Sequence, residues 1–261
     1  MNFSDLLRGV DTGSETSVYE IPESWAQGRT AYGGLTGAIC AREAEKRFPG
    51  LPPMRTAQVS FVGPAAGQLV AEAQLLRQGK NTAFVDVTLR GEKGVATRAT
   101  FVYGAPRESS VRIDNFPCPD VPDINELEPM ELTPFHPTFL QNFDLYSAVG
   151  GLPFAGNGGH AMAWWGRHKD ESARATSIGL LALGDLPPPA AAASMTTFAP
   201  VSSVNWHVDL LTEDLSSDDG WFLIYTEAEA AGDGWSGQKM GMWTRDGRAI
   251  MSMRQAVVVF S

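Results

Sequence analysis

Gln255 is the residue whose placement most invites a chemical reading. Along Arg248–Phe260 the period of two expected of a strand puts Met251, Met253, Gln255, Val257 and Val259 on one face. An amide on an otherwise apolar face costs free energy unless its donors and acceptor are all engaged. Gln255 is therefore either a core amide tied to neighbouring backbone, or a group that holds water or polarises a carbonyl beside an apolar ligand. Asp185, in Leu183-Gly184-Asp185-Leu186-Pro187, stands late in an expected helix, where a carboxylate can satisfy loop amides beside the proline stop, and Glu229 stands in a strand where acids more often face solvent. Ser203, Asn205 and His207 alternate as a polar row in one strand. His207 could serve as a general base near neutral pH, although a lone strand histidine is more often structural. Ser202 and Asn205 could orient water without changing charge. Tyr32-Gly33-Gly34 opens a helix whose unpaired amides attract partial negative charge, with no Cβ to block a carbonyl. A tight helix entry accounts for the same glycines equally well.

Several chemistries are excluded. Gly234-Trp235-Ser236-Gly237 lacks the spacing of a nucleophile elbow, and the pattern of an aspartate, four residues and a histidine found in one group of hydratases and dehydratases is absent. Cys40 and Cys118 are far apart and have no histidine cluster beside them, which fits neither a zinc site nor a disulfide framework. No metal and no cofactor is expected, and the cysteine usage points to a reducing compartment, the cytoplasm. Met1–Val10 has no apolar core with a small-residue cleavage site, and no window is apolar enough for a membrane span. Thirty acidic against twenty basic residues give a net charge of −10, which disfavours nucleic acid but not one anionic small molecule held by local bases.

The elements that must position these groups form two similar series. A helix is expected from the Gly33-Gly34 pair to Phe48, apolar and small at first and charged at its end before Pro49-Gly50. Strands follow at 56–62, 68–76, 82–90 and 95–103. The third alternates strictly, with Ala83, Val85, Val87 and Leu89 on one face. Residues 105–137 hold seven prolines and many acids, which block helix and central strand and predict a solvated surface linker. The second half reads as strands at 139–149 and 160–167, a helix from about Ser172 to Leu183 stopped by Pro187-Pro188-Pro189, then strands at 201–211, 221–230, 235–244 and 248–260. Glu72-Ala73 and Gly79 match Glu227-Ala228 and Gly234 at one common offset, and the order of elements repeats, so an internal duplication is expected. The tryptophans, Trp164, Trp165 and Trp206 among them, should fill the core and line any apolar pocket.

A helix wrapped by an antiparallel sheet is an α+β layer architecture. Present twice in one chain, it looks like a double hotdog, with units at 1–104 and 138–261. Four motifs in order, Ala31-Tyr32-Gly33-Gly34, Val59-Ser60-Phe61-Val62-Gly63-Pro64, Arg77-Gln78-Gly79-Lys80 and the Asp246-Gly247 turn before Gln255, resemble the acyl-CoA thioesterase II family, in particular its divergent bacterial thioesterase-like members. The resemblance implies hydrolysis of an acyl-CoA thioester by activated water, with Gln255 at the family's catalytic glutamine. It also implies Tyr32, Gly33 and Gly34 beside the substrate, Arg77, Lys80 and Lys239 as bases for the coenzyme A phosphates, and a homo-oligomer, most simply a dimer of double hotdogs. The family's aspartate falls on Ser202 or Val201, and its hydroxyl position falls near Ala228-Glu229; no carboxylate stands at the first. Either Asp185 or Glu229 supplies the acid from elsewhere, or the chain is a non-catalytic acyl or acyl-CoA binder.

Overall fold

The computed structural model describes residues 1–13, 15–150, 153, 154, 156 and 159–260. In chain order the elements are α1 (Phe3–Leu6), β1 (Val10–Asp11), β2 (Thr16–Glu20), β3 (Ala26–Gln27), β4 (Thr30–Ala31), α2 (Gly33–Arg47), β5 (Met54–Phe61), β6 (Gln68–Gln78), β7 (Thr82–Gly91) and β8 (Gly94–Gly104). They continue with β9 (Phe143–Val149), β10 (Ala161–His168), α3 (Ser177–Gly184), β11 (Val201–Leu210), β12 (Phe222–Gly232), β13 (Trp235–Thr244) and β14 (Ala249–Val259). Twelve strands form one sheet in the order β1-β2-β6-β7-β8-β5-β11-β14-β13-β12-β10-β9, while β3 and β4 pair separately. Each half contributes a three-strand meander followed inward by the strand that succeeds its helix. The halves join where β5 and β11 pair antiparallel, Val59 opposite Trp206. This is the double hotdog that the resemblance implies, with the two sheets continuous.

Helices α2 and α3 share one core with the inner face of the sheet. Leu35, Ile39, Val59, Leu181, Trp206 and Met253 belong to a single buried cluster. The residues of α2 from Gly34 to Ala41 are all buried, because the small side chains admit both the sheet and α3. A Cβ on Gly34 would stand 2.4 Å from the carbonyl oxygen of Ala182, and one on Gly37 would touch Leu181 and Trp206. Further along α2, the buried Glu43 accepts from the Tyr19 phenol at 2.9 Å and pairs with Arg47 at 2.6 Å, tying β2 to the helix.

The second helix is shorter than the sequence pattern suggests. Glu171–Ala173 forms a 3-10 turn, and α3 begins at Ser177, where the Thr176 hydroxyl accepts from the Gly179 amide at 3.0 Å. That cap interrupts the expected run from Ser172. The helix is apolar all round, as a fully buried helix can be. Thr138–Asn142 is likewise a 3-10 turn, so β9 starts at Phe143 rather than at Phe139.

Residues 105–137 contain one short 3-10 turn, Ile124–Glu126, and otherwise no regular element, yet they are more than a solvated tether. Phe116, Cys118, Val121, Ile124 and Leu127 pack on Ala163, Trp165, Trp221, Leu223 and Trp243, a second cluster separate from the main core. Phe116 stacks on Trp243 with ring centroids 4.9 Å apart. The indole N–H groups of Trp243 and Trp165 donate to the carbonyl oxygens of Phe116 and Pro122, and Arg245 clamps Asp123 at 2.6 Å. The segment is a strap over the outer face of the second half. Trp164 faces the main core and Trp165 the strap, so adjacent tryptophans serve opposite faces of β10. Phe116→Ala should cost about 1–3 kcal/mol by removing this stacked ring. A lower urea midpoint with faster proteolysis within 105–137 would show it; an unchanged midpoint would return the segment to a passive linker.

Candidate functional site

The residues that could do chemistry meet where the two halves touch. Gln255 lies on the inner face of β14 at 5% exposure, and Gln238 lies directly opposite it on β13, fully buried. The Gln255 Nε2 donates to Asp185 Oδ1 at 2.5 Å. Its Oε1 accepts from the Ser203 hydroxyl at 3.0 Å and from Gln238 Nε2 at 2.9 Å. Every polar atom of this amide is thus engaged, as its apolar surroundings require.

Asp185 caps the C-terminal end of α3 and reaches across to the other half of the molecule. Its carboxyl accepts from the Gly34 amide at the N-terminus of α2, where unpaired N–H groups and the helix dipole favour negative charge. A Cβ on Gly33 would lie 2.6 Å from Asp185 Oδ2 and 3.2 Å from the Phe61 ring, so the carboxyl can sit here only against glycine. The Tyr32 phenol donates to the Ala182 carbonyl at 2.7 Å, satisfying one of the last carbonyls of α3 and holding the two helix ends together. Burial pushes the Asp185 carboxyl up to about 7, against the lowering effects of the Gln255 amide and the Gly34 N–H. A carboxyl poised near neutrality beside fixed donors is suited to taking a proton from water.

Ser203 reaches the site through a β-bulge. In the pairing of β11 with β14, Trp206 opposes Gln255 and Asn205 opposes Ala256, but Ser203 opposes Val257, so Val204 is an extra residue. Strict alternation from Trp206 would have turned Ser202 inward. The bulge hands that place to Ser203 and re-aims its hydroxyl. Ser202 and Asn205 are exposed. His207 faces the other way and pairs with Asp209 at 3.1 Å. Glu229 lies on the solvent side of β12 in an ion pair with Arg254. None of these four meets Gln255, and the expectation of a polar row shared by Ser203, Asn205 and His207 is corrected by the same bulge.

The proposed phosphate-binding bases also lie elsewhere. Lys239 pairs with Glu227 at 3.1 Å on the outer face of the sheet. Arg77 and Lys80 line a cleft of about 340 Å³ with Arg107 and Phe84 at the β6–β7 turn. That turn adjoins the Met54 end of β5, whereas Phe61 at the opposite end abuts Gly33. An eight-residue strand separates them, roughly 20 Å.

Among the described residues, the first half has no second copy of the site. Val59 and Trp206 face each other across the joint, and the residues next beyond them are Ala99 and Gln255. The first half supplies Tyr32, Gly33, Gly34 and Phe61 to the shared site instead. Gln238 was the residue sequence reasoning missed. It alternates with Ser236, Met240 and Met242 on a buried face, which is the same signal that singled out Gln255. Among the described residues no cluster of His, Cys, Asp and Glu could hold a metal ion, and no helix is long and apolar enough to cross a membrane.

Residues 21–104 match the model of an acyl-CoA thioesterase N-terminal domain, and residues 118–259 match that of an acyl-CoA thioesterase C-terminal domain. A hot dog fold protein of unknown function from Alicyclobacillus acidocaldarius superposes with a TM-score of 0.88 at 21% identity, over 99% of this chain and 98% of that one. A candidate thioesterase II from Thermobifida fusca gives 0.84 at 17% identity over 100% of both chains. The acyl-CoA thioesterase II TesB2 of Mycobacterium marinum gives 0.75 at 14% identity, over 98% and 97%. Likenesses at these identities establish the fold alone. No curated protein matches the chain at the sequence level. The two domain models, in order and at the two halves of the duplicated fold, show that the chain belongs to the acyl-CoA thioesterase family.

Proposed function

We propose that the protein hydrolyses an acyl-CoA thioester, with Asp185 as general base, Gln255 and Ser203 positioning the attacking water, and the α2 N-terminus beside the thioester carbonyl. The observation that carries this reading is the Asp185 carboxyl held between the Gln255 amide and the Gly34 N–H. Water loses a proton to Asp185 as its oxygen attacks the carbonyl carbon. The resulting oxyanion is stabilised by donors at the Gly33-Gly34 helix entry or by the second N–H of Gln255. When the intermediate collapses, the C–S bond breaks, and the coenzyme A thiolate leaves and takes up the proton held by Asp185. No covalent enzyme intermediate is formed.

The alternative, a binder without catalysis, drew its support from the missing family carboxylate; Asp185 standing at Gln255 favours hydrolysis over it. With this reading go hotdog units at 1–104 and 138–261 joined by 105–137, a cytoplasmic place in fatty acid metabolism, and a homodimer. A free-thiol assay on a panel of acyl-CoA substrates, beside a binding titration, decides between the first two. Thiol release supports hydrolysis, and saturable binding without release removes it. Light scattering across micromolar concentrations should show a species of twice the monomer mass, and a 28.1 kDa particle throughout would count against the dimer.

The pH dependence has a definite sign. Asp185 works as a base when ionised, so kcat should rise with pH through about 7 and level off above it. Its folded pKa lies above the ordinary 3.8, so the folded state holds the proton more tightly, and stability declines as pH rises from 3.8 to about 7. Asp185→Asn should lower kcat by roughly 10²–10⁴. The same variant should melt higher than the parent at pH 8 while matching it at pH 4. Lower melting at both pH values would show that the carboxylate is structural. Gln255→Ala should reduce kcat by about 10² through the lost positioning donor. It should also cost about 1–3 kcal/mol, because Ser203, Gln238 and Asp185 each lose a partner. Normal turnover per folded molecule would remove Gln255 from the chemistry.

A further inference from the structure

Asp185 and Gln238 are linked twice, once through hydrogen bonds and once through the chain. After Asp185 come Leu186, whose amide donates to the Leu183 carbonyl at 3.1 Å, and then Pro187, Pro188 and Pro189, which have no N–H. The next available amide is that of Ala190, which starts the buried 3-10 turn Ala190–Ser194 and donates to Gln238 Oε1 at 2.9 Å. Gln238 Nε2 then donates to Gln255 Oε1, and Gln255 Nε2 to Asp185. The second N–H of Gln238 is directed to the Met240 sulfur at 3.6 Å. Backbone and side chains thus close a ring through three stiff prolines.

The ring has a direction that one member fixes whatever the protonation state of Asp185. A side-chain amide can exchange its oxygen and nitrogen by rotation, and a hydroxyl such as that of Ser203 can donate or accept. A backbone N–H can only donate. The Ala190 amide therefore obliges Gln238 to present its oxygen there and its N–H to Gln255. Gln255 must in turn present its oxygen to Gln238 and its N–H to Asp185.

We infer that Gln238 is a positioning residue, which keeps the donor face of Gln255 towards Asp185 whether that carboxyl is ionised or has taken up a proton. This inference rests on the hydrolytic role assigned to Asp185. Without Gln238, Gln255 could turn when Asp185 is protonated and accept its O–H. That would stabilise the acid form and leave a poorer base. Tyr32 is the titratable group that interacts with Asp185 among the described residues, and burial holds its phenol protonated, so it does not compete.

The test uses Gln238→Met, which keeps the volume but cannot donate, and Gln238→Asn, which keeps an amide too short to span from Ala190 to Gln255. Each is compared with the parent by pH–rate profile and by a 13C-carboxyl NMR titration of Asp185 in the full chain. Either variant that folds should raise the Asp185 pKa by at least about half a unit, move the acid limb of kcat upward to match, and leave KM within about threefold. An Asp185 titration unmoved in both variants overturns the inference, whatever happens to activity. A parent that releases no thiol from any acyl-CoA overturns the hydrolytic reading instead, and the NMR titration still decides whether Gln238 controls the carboxyl.

Discussion

The contact on which the remaining architecture depends is the Asp185 carboxyl against the N-terminus of α2. It joins a side chain at the end of the second half's helix to the backbone of the first half's helix. Its geometry requires glycine at positions 33 and 34, because a Cβ at either would strike the carboxyl or the Ala182 carbonyl. The same closeness draws the Tyr32 phenol onto α3 and leaves α2 and α3 packed against each other. A duplicated fold with two independent sites would have no need of such a contact. Here the halves contribute different parts, one a helix entry and the other the Asp185 carboxyl and the two glutamine amides.

The two faces of the sheet solve different problems. The inner face carries the helices and the site, where Gln255, Gln238, Ser203 and Asp185 are engaged with one another and with backbone. The outer face of the second half is covered by the proline-rich strap, which packs on Trp165, Trp221 and Trp243. Proline suits this segment because it must lie on a finished sheet without adding a strand to it. The Trp165 and Trp243 N–H groups meet strap carbonyls, so the cover is specific as well as apolar. The strap and the site lie on opposite sides of the sheet, which lets cover and chemistry vary separately.

Electrostatics gather at the site in a small way. The chain carries a net charge of −10, yet it is burial rather than a neighbouring charge that raises the Asp185 carboxyl to about 7. Amides and backbone N–H groups surround it. Neither kind of group carries a charge, so nothing in the pairs that Asp185 makes with Gln255 and Gly34 neutralises an ionised carboxylate.

Much of this was legible in the residues themselves. Period-two alternation located the strands, the small and apolar runs located the helices, and Gln255 stood out because an amide on an apolar face demands partners. Those signals are local, carried by neighbours along the chain. The parts decided by tertiary structure are those that depend on register or on distant packing. Asp185 and Gln255 are 70 residues apart, and Tyr32 and Ala182 are 150 apart, so no local pattern could announce their meeting. The bulge at Val204 exchanges Ser202 for Ser203 on the inner face, a one-residue shift that reverses which side chain the site receives. Gln238 bore the same local signal as Gln255, but its partner is the first amide beyond three prolines, and only the folded loop brings that amide to it.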